Sequence, residues 1–155
     1  MNWLLEWHIW DGIGAWIAVA AIALLLGANR RIAVRDATVG MLSWIVYKIL
    51  LDRGGGDFLS TLIATALAAC YAQYAARKHR VPVTVLTIPT LYPMVPGGQL
   101  FRAVDAFVFT KEGAAADYGK QAILTSLGIA LGLLFVERFF QIIYSSDRKK
   151  IEEKS

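Results

Sequence analysis

Residues 79–102 read His-Arg-Val-Pro-Val-Thr-Val-Leu-Thr-Ile-Pro-Thr-Leu-Tyr-Pro-Met-Val-Pro-Gly-Gly-Gln-Leu-Phe-Arg. All four prolines of the chain, Pro82, Pro89, Pro93 and Pro96, fall in this otherwise apolar stretch. A proline inside a helix removes a backbone donor and clashes with the carbonyl four residues back, so no soluble core helix accepts such a set. In a membrane, irregular backbone is tolerated only where protein buries it or where it lines a cavity. The stretch is therefore the first place to look for the working part of the molecule.

The rest of the chain agrees with a membrane setting. It is 57% hydrophobic and 18% charged, with mean hydropathy +0.50, against roughly 25% charged residues in a soluble domain. Its 155 residues suffice for one domain. The single cysteine, Cys70, excludes an internal disulfide. The net charge of +4 sits in short clusters between apolar segments, which is not a nucleic-acid-binding face. His8 and His79 are too far apart for metal-ligand spacing, and no metal or cofactor is expected. Nucleophile-elbow, zinc-protease and phosphate-loop motifs are absent, so no enzyme is expected either.

A full crossing needs about 20 apolar residues. The expected spans are about 7–28, 37–51, 58–76, 81–110 (discontinuous) and 120–144, in one transmembrane domain over 1–144. The first counts residues 7–10 as an aromatic interfacial anchor. The second is short and carries Lys48. Charge supports it: Arg30, Arg31 and Arg35 follow the first segment, Arg77, Lys78 and Arg80 follow the third, and Arg148, Lys149, Lys150 and Lys154 fill the tail. The other links hold only Arg53, or Arg102, Lys111 and Lys120. The positive-inside rule then gives five spans, with the N-terminus outside and a cytoplasmic tail at 145–155. Glu6, Asp11 and the lack of a basic start argue against a cleavable signal. The expected fold is an all-α integral membrane protein, a bundle of about five transmembrane helices with the fourth broken by proline and glycine.

Small residues recur at helix-packing intervals. Ser60, Ala64, Ala68 and Ala72 repeat every four, Gly128 and Gly132 form a GxxxG pair, and Gly14 precedes Ala18. Such spacing lets helix backbones approach closely in lipid, within one chain, between copies or against a different protein.

Residues 81–95 would make a helix of roughly 22 Å, short of a hydrocarbon core of about 30 Å. Gly97-Gly98 interrupt it, and residues 99–110 read as a second helix with Gln99, Arg102 and Asp105 on its polar side. Two geometries are open. Either two half-helices share one span, or the first nearly crosses and the second lies on the outer interface. In the first, Gly97 and Gly98 present backbone donors at the positive end of a helix dipole. Arg102 then adds a charge-assisted contact to a carboxylate; Gln99 and the hydroxyls of Thr90 and Tyr92 stand nearby. In the second, Arg102 pairs with Asp105 in water.

The run at residues 81–98, with its Ile-Pro, its apolar spacer, its further proline and its closing Pro-Gly, resembles the signature of the threonine/serine exporter family. Asn29-Arg30-Arg31, Gly40, the aromatic second segment and Ser60-Thr61-Leu62 extend the resemblance over roughly residues 10 to 140. The chain is similar to the small five-span subunit of the split form, related to a bacterial pair implicated in succinate export. The resemblance implies a subunit in a bacterial cytoplasmic membrane, incomplete without a larger five-span partner that carries a hydrophilic N-terminal domain. Pro89, Pro93, Pro96 and Gly97 are its motif positions, with Pro82 at the head of the stretch; Pro93, Pro96 and Gly97 are also expected to border the substrate.

The expected function is export of threonine and serine, or of a dicarboxylate such as succinate, by alternating access around residues 89–98. The competing expectation is a non-transporting assembly protein. Glu137 is a candidate for proton coupling, since ionisable residues within a span are functional hypotheses by default; snorkelling of Arg138 and pairing of Glu137 are the plainer account. Lys48 is expected to snorkel. Ser60, Thr61, Thr65, Thr125 and Ser126 either line a polar path or join helices.

Overall fold

The computed structural model describes residues 2–109 and 112–152, with side chains at 9–109 and 113–143. Glu6 and His8 side chains, Thr110, Lys111 and the end of the expected tail lie outside the described residues. The described chain is all helical: α1 Asn2–Leu25, α2 Arg30–Asp52, α3 Gly56–His79, α4 Val83–Leu91, a 3-10 turn Tyr92–Met94, α5 Gly97–Val108 and α6 Glu112–Glu152.

Local chemistry sets the helix ends. Past α1, Gly27 takes φ +82, a left-handed conformation that glycine adopts without steric cost. The Ala28 amide then closes on Ala23 O at 2.9 Å, a common helix-ending geometry. Asn29 caps α2, its side chain accepting from the Arg31 amide. α3 ends at Arg80, left-handed at φ 55, and Pro82 follows, which cannot continue a helix.

The core is built from small residues and the outside from large ones. Ala64, Ala68 and Ala72 are wholly buried, as are Ser60, Thr61 and Thr65, while Leu25, Phe101, Phe107 and Ile142 are exposed. A soluble protein shows the reverse preference for its large apolar side chains. Close backbone approach through small residues is how helices associate in lipid. Two helices, Gly56–His79 and Gly113–Ile143, are long and apolar enough to cross a membrane; the apolar parts Ile9–Leu25 and Val83–Met94 are shorter.

The packing directions follow from close contacts. Gly12 on α1 faces Met41 and Ile45, and Val19 faces Gly40, so α1 and α2 run antiparallel. On α6, a Cβ at Gly128 would lie 2.8 Å from Phe58 O, and one at Gly132 would lie 3.0 Å from Leu62 O. Numbers rise together along both helices, so α3 and α6 are parallel neighbours. The GxxxG pair thus works within the chain. Gly14, by contrast, has nothing within 4 Å of a built Cβ. The buried seam of α1 is Gly12, Ala15, Val19 and Ala23, and Gly14 is turned away from it by two residues at about 100° each.

α4 climbs antiparallel to α3. Leu86 clusters with Ala72, Ala75 and Ala76, whereas Leu91 and Met94 cluster with Ala64, Ala68 and Tyr47. By Gln99 the chain has reached the first turn of α3, where Gln99 Nε2 donates to Asp57 Oδ1 at 3.5 Å. α5 then packs on the first part of α6, with Ala103, Val104 and Phe107 sharing a groove with Ala115 and Ala116. α6 spans 41 residues, roughly 60 Å, so its start runs well past the beginning of α3. One end of the bundle, the basic end, gathers Arg30, Arg31, Arg35, Arg77, Lys78, His79 and Arg80.

Candidate functional site

The turn between α4 and α5 is shaped by its prolines. Pro89 sits buried inside α4 and leaves the carbonyl one turn back without its usual donor. Thr90 donates its hydroxyl to Leu86 O at 2.8 Å and Thr87 O at 3.0 Å, knitting the weakened helix to itself. Helical bonding stops at Leu91. Pro93 lies in the 3-10 turn, and Val95 is extended at φ −60, ψ 127, the conformation a following proline imposes.

Pro96 leads into α5, whose N-terminus has no side-chain cap. The Gly97 amide closes on Val95 O at 2.7 Å, and the Leu100 amide is the first to bond one full turn back, to Pro96 O. The amides of Gly98 and Gln99 therefore have no intrahelical acceptor.

These amides border a cavity of about 270 Å³ between α2, the turn, α5 and α6. Trp44, Tyr47, Lys48 and Leu51 line it from α2; Pro93, Met94, Val95 and Pro96 from the turn; Gly98, Gln99 and Arg102 from α5; and Thr125 from α6. Lys48 holds Asp11 at 3.5 Å and lies 5.2 Å from the Trp44 ring centre. No ion pair joins Arg102 to Asp105 among the described residues. Gln99 Oε1 and Thr125 Oγ1 are buried without a hydrogen-bond partner, and groups in that condition are costly unless something meets them. Two cations, an uncapped helix N-terminus and two unmet polar atoms suit a small carboxylate that carries a further polar group.

Of the residues read as substrate-binding, Pro93, Pro96, Gly98, Gln99 and Arg102 meet at this cavity. Gly97 adjoins it. Thr90 is wholly buried with its hydroxyl turned onto its own helix. Tyr92 is exposed, in a shallower groove with Asp11 and Lys48. Pro82 stands at the start of α4. Glu137 belongs to a different groove with Gln73, Arg77 and Thr87, and accepts from Gln141 Nε2 at 3.5 Å.

Thr61 and Ser126 donate to carbonyls of their own helices, and Thr65 reaches Met94 Sδ at 3.7 Å, so these three join structure rather than line a path. Sequence reasoning missed the α2 wall of the cavity. Its signal was present: Trp44 and Lys48, four apart, lie on one helix face.

The fold and site define an α-helical membrane protein with a small-residue core and, at a proline-glycine turn, a largely apolar cavity that carries a few polar and charged groups. The threonine/serine exporter family matches residues 11–139, most of the chain, and the protein belongs to that family. The family is one of transporters, not of enzymes. No curated protein and no solved structure matches the chain.

Proposed function

We propose that the chain is one subunit of a two-chain secondary exporter of small polar metabolites, threonine and serine first and a dicarboxylate such as succinate second. The observation that carries this reading is the cavity where Arg102, Lys48 and the open N-terminus of α5 converge beside Thr125. A substrate carboxylate sits against the α5 amides and Arg102, and the unmet Thr125 hydroxyl and Gln99 carbonyl bind its polar remainder. Access alternates around residues 89–98, where the prolines leave the helix few bonds to break.

Five crossings fit the packing, with the N-terminus outside and the C-terminus in the cytoplasm of a bacterial cell. Parallel, adjacent α3 and α6 need residues 80–111 to return the chain across the bundle. Of the two geometries open to that stretch, the contacts of Leu86, Leu91 and Gln99 along α3 favour α4 as the crossing part and α5 as the outer, interfacial part. The exposed Phe101, Val104 and Phe107 of α5 then face lipid or the larger subunit with its hydrophilic N-terminal domain.

The test is export of labelled threonine and labelled succinate from cells that make this chain alone and with the larger subunit. Flux only with both chains supports the subunit reading. Flux from this chain alone makes it a homo-oligomeric transporter. With both chains in the membrane and neither label moving, the reading falls in favour of an assembly protein.

A further inference from the structure

Asp36 is the one ionisable side chain among the described residues that is wholly buried. It lies on α2 one residue ahead of the second apolar segment, on the face that also buries Ala33, Ala37, Gly40 and Ser43. That face meets α1 through Val19 on Gly40, and meets α4 through Thr90 O on the same glycine. From α3, Tyr71 approaches the carboxyl group, but neither Asp36 oxygen closes a regular hydrogen bond.

The titratable surroundings are sparse. α4 carries none, and the half of α1 packed here carries none. α3 supplies Tyr71 and, at its end, Arg77, Lys78 and His79. The adjacent cation on α2, Arg35, is turned away: its guanidinium donates to His79 Nε2 at 2.9 Å, at the exposed basic end. Among the described residues, no cation hydrogen-bonds to either oxygen of the buried carboxyl group. Burial makes the charged form costly and pushes the carboxyl pKa up to about 6, against the opposing effect of the Tyr71 hydroxyl, so the group can exchange a proton close to physiological pH.

We propose that Asp36 is the proton-binding residue of the exporter, giving up its proton to the cytoplasm once per cycle when α2 and α3 part at their basic end. The inference rests on the transport reading above. The O–H bond of the carboxylic acid breaks, cytoplasmic water takes the proton, and the carboxylate is reprotonated from the outer side before it is buried again. The Arg35–His79 contact closes that end in the present state. Glu137, the residue the sequence suggested for this role, is exposed and already held by Gln141.

Infrared spectroscopy of the purified chain in lipid vesicles is the first measurement, because it needs no substrate. The carbonyl stretch of a protonated carboxyl group is expected at pH 5 and is expected to fade as the pH is raised through about 6 to 8; it should be lost in Asp36→Asn and kept in Glu137→Gln. Its absence from the wild type, or its persistence in Asp36→Asn, overturns the proposal. Should Asp36→Asn not fold, Tyr71→Phe serves: the band must shift when the neighbouring hydroxyl goes, and an unmoved band overturns the assignment.

The second measurement uses vesicles containing the complete exporter. Asp36→Asn is expected to retain threonine–threonine exchange and to lose flux driven by a pH gradient; unchanged gradient-driven flux overturns the proposal. If wild-type vesicles move no threonine, the transport reading fails on that substrate while the spectroscopic result still decides the state of Asp36.

Discussion

Two glycine pairs divide the molecule. Gly128 and Gly132 lie in the seam between α6 and α3, where added Cβ atoms would meet backbone at 2.8 and 3.0 Å. Gly97 and Gly98 open α5, where added Cβ atoms would meet nothing within 4 Å. The same residue type thus answers two demands. In the seam it permits contact between helices that have no hydrophobic drive to associate in lipid. At the turn it leaves space and exposes amides. The seam holds the scaffold, and under the proposed function the turn is where a ligand and a change of shape are accommodated.

The strongest challenge to this contrast is Gly128→Leu, which drives a branched side chain into the Phe58 carbonyl. Loss of a folded, monodisperse protein in detergent is expected, and Gly128→Ala should lower stability by about 1–3 kcal/mol. Thermal unfolding of the two variants reads both.

Next in size is Arg102→Ala. Removing a charge-assisted contact to substrate, worth about 1.5–3 kcal/mol, should cut threonine export at least about tenfold. Unfolding should move by less than about 0.5 kcal/mol, as for an exposed position. An equal loss of both would mean that Arg102 supports the fold and not the ligand.

Lys48→Met should do less, because Asp11 already holds the ammonium and part of its charge is screened. A weakening of threonine affinity by about 0.5 kcal/mol, roughly twofold, is expected in a concentration series. The smallest effect belongs to Gly98→Ala: stability within about 0.5 kcal/mol of wild type, against the marked loss from the same change at Gly128. Equal losses at the two glycines would erase the distinction between seam and turn.

Much of this was legible in the residues themselves. The four-residue recurrence from Ser60 to Ala72 named the buried face of α3, and the prolines named the turn, because both are local consequences of backbone geometry. The spacing of Gly14 marks a stripe without saying what it packs on; within this chain the α1 seam runs through Val19 on Gly40 instead, which shows only in three dimensions. Thr90 looked available as a ligand group, yet its helix, weakened by Pro89, uses the hydroxyl. The α2 side of the cavity and the isolation of Asp36 depend on contacts between distant segments. Asp36 sits among Arg30, Arg31 and Arg35 in sequence, where nothing marks it as buried.

The parallel seam also joins two helices that are made far apart in time. As the chain leaves the ribosome, α1 and α2 can close on each other at once, being neighbours in sequence and antiparallel. α3 follows with its alanine and threonine face uncovered, and α4 covers only part of it. The remainder waits for Gly128 and Gly132, which arrive after every other described helix has been made. Until then the part of α3 that α6 covers in the finished protein has no partner from this chain, and the last described helix to be synthesised is the one that completes the scaffold.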